Sequence, residues 1–169
     1  MNETSNKNNS PAGSRYATPF NVDLSNLEFK KNFTEYFKRV SSLSGPIKDL
    51  MANPSTADFI EENLGPSFGL TPEQKTEITR IIRDVLLGDL FIGEMTQEIS
   101  SRTRLAPDEA KKNVNLIISE LFQPAIEDIK KLQAQKFPEK INKPAVSEKP
   151  DLKIEPDINR NNIVDLRNK

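Results

Sequence analysis

The chain has 169 residues, with 24 Lys and Arg against 25 Asp and Glu and a mean hydropathy of -0.61, a length that suits one ordinary domain plus tails. It holds no Cys and no His, which excludes disulfides, thiolate nucleophiles, thiolate- or imidazole-held metals and the Ser-His-Asp type of triad. No region is strongly basic, so the footprint of a phosphate binder is missing, and no run approaches the roughly 20 apolar residues of a membrane span.

Residues 1–20 are rich in Asn, Ser and Thr, show no periodicity and read as a disordered tail. Met1 to Ser10 is almost wholly polar and offers no apolar stretch for a secretory signal, so the expected setting is cytoplasmic. From Leu24 the pattern changes. Phe29, Phe33, Phe37 and Val40 recur at helical spacing, with Leu27 and Leu43 in phase, and predict a Phe-rich helix over 26–43 with these residues in the core. Gly45-Pro46 is the expected stop. Short helices are expected in 47–64, one holding Ile47, Leu50 and Met51. A second starts from a cap at Ser55 or Thr56, carries Phe59, Ile60 and Leu64, and ends at Gly65-Pro66.

The strongest pattern is a three-helix unit over 72–136. Thr71-Pro72-Glu73-Gln74 has the capping hydroxyl, a Pro at the first helical position and a Gln three residues after the cap. Ile78, Ile81, Ile82, Val85 and Leu86 then share one face, and Gly88 is placed to end the helix in left-handed geometry. A weaker helix is predicted over 93–104, with Met95 and Ile99 inward. Pro107 opens the third, whose stripe (Ala110, Val114, Ile117, Leu121, Ala125, Ile129) keeps its phase across Pro124. Preserved phase predicts one kinked helix over 107–136.

Beyond it, Pro138, Pro144, Pro150 and Pro156 stand six residues apart. That spacing would align them on one edge of a polyproline II segment, and it equally suits a low-complexity linker, the reading favoured here. Residues 138–169 are expected to form a disordered C-terminal tail. Apolar character returns only at Ile163-Val164-Asp165-Leu166. The whole reads as an all-α protein: a small helical bundle over 21–137 with a C-terminal three-helix unit, flanked by disordered tails.

No catalytic, cofactor-binding or metal-binding residue is assigned, and no cofactor is expected. The pairs Glu61-Glu62, Asp108-Glu109 and Glu127-Asp128 diverge by about 100° on a helix, so they need not converge on one substrate. The aromatic stripe with Lys30, Lys31, Lys38 and Arg39 reads as core rather than a base-stacking or membrane surface. Two segments are protein-binding candidates. Leu87, Leu90, Phe91 and Ile92 hold more apolar residues than one face requires, as a docking patch or a buried corner would. Ile163, Val164 and Leu166 could add to a partner's sheet edge or enter a groove, or fold back on the chain's own domain.

The segments Val85-Leu86-Leu87-Gly88-Asp89-Leu90 and Ile118-Ser119-Glu120-Leu121-Phe122-Gln123-Pro124-Ala125-Ile126 together resemble an uncharacterised α-helical domain family found in short proteins of small-genome bacteria. The resemblance covers about 71–137 and implies a helical fold in a bacterial cytosol. It carries over no activity, cofactor or binding residue. The expected function is a non-enzymatic protein-interaction or adaptor module, in which the helical domain and the tethered C-terminal motif contact an unidentified protein partner; self-association stays open. A nucleic-acid-associated helical protein is the alternative, against which the near-neutral charge weighs. An enzyme would have to work through carboxylates, Lys or Tyr.

Overall fold

Every element among residues 17–141, which the computed structural model describes, is helical, and prolines and caps set the breaks. The all-α bundle expected from the sequence is the fold observed. Helix α1 (Leu27–Lys31) starts at Asn26, whose side chain accepts from the Glu28 N–H. The Phe-rich segment is not one helix: it breaks at Asn32, and α2 (Phe33–Ser41) follows. The break turns α2 so that Tyr36 and Val40 are buried while Phe37 is 52% exposed, reversing the expectation for Phe37. Tyr36 wins the inward position because its hydroxyl has a partner there, donating to the Phe20 carbonyl at 2.9 Å.

Gly45-Pro46 opens α3 (Gly45–Ala52) besides closing what precedes it, since a Pro in the first turn loses no intrahelical bond. Ile47, Leu50 and Met51 of α3 are buried. Asn53, rather than Ser55 or Thr56, caps α4 (Pro54–Asp58), accepting from the Ser55 N–H at 2.9 Å. The chain then runs through a π turn (Phe59–Leu64) into α5 (Gly65–Phe68), so Gly65-Pro66 is no stop. The Gly65 N–H reaches the Ile60 carbonyl, and Pro66 falls in a first turn where its missing N–H costs nothing. The left-handed residue that ends this stretch is Gly69, at φ 60°.

The central element is α6 (Pro72–Leu86). Thr71 and Gln74 form the reciprocal cap read from the sequence: the Thr71 N–H donates to Gln74 Oε1 at 2.8 Å, and the Gln74 N–H to Thr71 Oγ1 at 3.3 Å. Its apolar face is rich in β-branched residues, each less helix-prone than Ala by at most about 0.7 kcal/mol. Full burial of Ile78, Ile81, Ile82 and Val85 contributes about 1.5–3 kcal/mol apiece, so packing decides the helix. Helix α7 (Met95–Thr103) packs on α6 through Met95 and Ile99, and α8 (Pro107–Leu116) packs on α7 through Ala110 and Val114.

The third predicted helix is interrupted. A π turn at Ile117–Leu121 and a 3₁₀ turn at Gln123–Ala125 separate α8 from α9 (Ile126–Lys136). The apolar stripe still faces the core, with Ile117, Phe122 and Ile129 fully buried. The π turn underwinds the chain and the 3₁₀ turn overwinds it, so the two offsets oppose and the sequence phase survives a break in the helix.

Residues on either side of 21–137 take part in the described fold. Thr18 and Pro19 are buried, and the Phe20 N–H donates to the Met51 carbonyl at 2.9 Å. At the other end, α10 (Pro138–Ile141) continues past Phe137. The remainder of both expected tails, including the later prolines, lies outside the described residues. No helix among the described residues is long and apolar enough to cross a membrane.

Candidate protein-interaction site

The turn at Leu87–Ile92 is built as a helix terminus. Gly88 adopts φ 70°, its N–H donates to the Val85 carbonyl at 3.1 Å, and the Asp89 N–H donates to the Asp84 carbonyl at 2.8 Å, the bond pair of a Schellman motif. Leu87 and Leu90 are turned into the core; Phe91 and Ile92 are half-buried. A partner approaching this turn therefore meets Phe91 and Ile92, not the two leucines. Gln133 on α9, which the sequence reading did not single out, is buried against the same turn. Its Nε2 donates to the Val85 and Leu90 carbonyls at 3.3 and 3.1 Å, and its Oε1 accepts from the Ile92 N–H at 3.0 Å. Phe137 packs edge-on to Phe91 with ring centroids 5.6 Å apart, and Lys140 lies over both rings while pairing with Glu94 at 2.5 Å.

Charge is concentrated in a belt along α6. Asp23, in the segment before α1, bridges Arg80 at 2.7 Å and Arg83; Arg83 also pairs with Asp84 at 3.0 Å, and Arg102 reaches Asp84 and Glu98. Burial pushes the Asp23 carboxyl up, but hydrogen bonds from Arg80 and Arg83 and their charges outweigh it and hold the group below its ordinary value. Arg83 loses to burial but is raised by its bonds to Asp23 and Asp84. Burial lifts the Tyr36 phenol to about 12. Asp23 and Asp84 neutralise Arg80 and Arg83, and the Asp23 pairs together with the Tyr36–Phe20 bond tie the N-terminal segment to the bundle. Among the described residues no group of acidic side chains is arranged to hold a metal ion.

Two open clefts flank α3. One, of about 410 Å³, lies between the α2–α3 junction and α9, with Arg39, Lys131 and Lys136 on its walls; its Arg39 is engaged by Asp89 at 2.5 Å. The other, of about 480 Å³, runs between α3–α4 and the π turn before α9. Leu50, Phe59, Leu121, Pro46 and Pro124 line it together with the polar Asn53, Ser55 and Thr56, and Asp49 and Glu120 are its charged groups. This largely apolar groove with two carboxylates was not singled out in the sequence, because two segments far apart in the chain, 46–59 and 120–124, supply it. Ile163, Val164 and Leu166 lie outside the described residues. No family model, no curated protein and no solved structure matches the chain, so what this surface does is inferred from its own chemistry.

Proposed function

We propose that this chain is a non-enzymatic protein-interaction module whose helical domain receives an apolar protein segment in the groove between α3–α4 and the turn before α9. The observation that carries this reading is the presence, in the lining of that groove, of apolar Leu50, Phe59 and Leu121 beside two carboxylates, Asp49 and Glu120. At about 480 Å³ it has the size of a small-ligand or short-peptide site. Its chemistry favours a short segment with aliphatic side chains and flanking cations. The nucleic-acid alternative draws less support, because Arg39, Arg80, Arg83 and Arg102 are each engaged by a carboxylate.

The test is selection of random displayed peptides on the full chain with Ile163, Val164 and Leu166 each replaced by Ser, so that the chain's own apolar tail residues do not compete, followed by mapping of amide chemical shifts. Enriched peptides should combine aliphatic residues with Lys or Arg, should move the amides of Leu50, Phe59 and Leu121, and should bind several-fold more weakly to Glu120→Lys. Failure to enrich any peptide, or shifts centred on another face, overturns the reading.

A further inference from the structure

The chain carries a segment whose chemistry matches this groove. In Arg160-Asn161-Asn162-Ile163-Val164-Asp165-Leu166-Arg167, three aliphatic residues are bracketed by two arginines, and the groove's lining joins aliphatic and aromatic side chains to the carboxylates of Asp49 and Glu120. We propose that Ile163–Leu166 of this same chain occupies the groove, with its flanking arginines toward the groove carboxylates. This inference rests on reading the groove as a peptide-binding surface.

The tether permits it. The last described residue, Ile141, follows α9, whose 11 residues span about 16 Å, and α9 begins two residues after the groove's Pro124. Residues 142–162 have a contour length of roughly 70 Å, several times that separation. Tethering turns docking into an intramolecular event at an effective concentration in the millimolar range, so a weak segment would still fill the groove.

A chain without Cys accepts a single spin label cleanly. With Asn168→Cys carrying a nitroxide in the full-length protein, the amides of Leu50, Phe59 and Leu121 should broaden several-fold more than those lining the Arg39–Lys136 cleft. The difference should vanish in the Ile163→Ser, Val164→Ser, Leu166→Ser triple variant and shrink in Glu120→Lys, whose side chain is exposed and whose fold is checked by circular dichroism. Even broadening, broadening centred on another face, or broadening that the triple variant retains overturns the proposal. So does broadening seen only between molecules when spin-labelled and isotope-labelled chains are mixed, which makes the occupant a second copy. Displayed peptides that map to the groove while the label stays remote would overturn the self-docking alone; loss of both overturns the groove reading as well.

Discussion

Gln133 holds Ile92 across 41 residues of chain: its side-chain oxygen accepts the Ile92 N–H while its amide nitrogen serves the carbonyls of Leu90 and Val85. One buried amide thus satisfies a backbone donor and two acceptors at a turn that leaves the helical ladder. Gln133→Ala leaves those groups buried without partners, and the expected loss is about 3 kcal/mol. Urea unfolding measures it. A loss under about 0.5 kcal/mol would mean that water replaces the side chain at little cost.

Asp23 ties a segment before α1 to two arginines of α6. Asp23→Asn should cost about 2 kcal/mol near neutral pH, the range for hydrogen bonds to a charged group. The folded-state pKa lies below the ordinary 3.8, so the stabilisation is present above that value and disappears as pH falls through the folded value. The native chain should therefore lose stability more steeply than the variant below the ordinary carboxylate pKa. Parallel acid titrations would remove Asp23 from this role.

Tyr36 works in the opposite direction. Its phenol is raised from 10.0 to about 12, chiefly by burial. The unfolded chain releases that proton near 10 while the folded chain keeps it. Stability is therefore fully present below 10 and declines as pH rises toward about 12, by on the order of 2 kcal/mol. Tyr36→Phe should flatten this alkaline limb and cost about 1 kcal/mol at neutral pH, because the Phe20 carbonyl loses its donor. The ultraviolet absorbance of tyrosinate follows the titration directly, and an ordinary midpoint for Tyr36 would contradict its placement.

Gly88→Ala meets two obstacles. The backbone is left-handed at φ 70°, and an added Cβ would lie 2.9 Å from Lys136 Cγ. The backbone part costs about 1 kcal/mol and cannot be relieved; the steric part falls on a flexible side chain. A total of about 1–2 kcal/mol is expected in thermal or urea unfolding. Pairing the change with Lys136→Ala should recover only the steric share, and complete recovery would show that the left-handed geometry is not required.

Features set by neighbouring residues were legible in the sequence. The Thr71–Gln74 cap and the Gly88 terminus each depend on four or five consecutive positions, and both stand as read. The helix break before α9 was hidden because an underwound turn precedes an overwound one, leaving the spacing of Ile117, Leu121, Ala125 and Ile129 undisturbed. Phe37 and Tyr36 are adjacent, so periodicity alone could not choose between them; the Phe20 carbonyl, in a segment without periodicity, accepts from the Tyr36 hydroxyl and makes the choice. The groove draws on residues 46–59 and 120–124, and the corner clamp joins residues 85–92 to 133. Neither juxtaposition is encoded locally.

Gln74 belongs to the cap of α6, yet its side-chain Nε2 also donates to the Thr103 carbonyl at 2.8 Å, where α7 ends and Arg104 turns left-handed. The start of one helix and the end of another therefore share a single fastener. Fraying of either end releases the other, so amides near Gln74 and near Thr103 should open to solvent exchange as one unit, at one common rate.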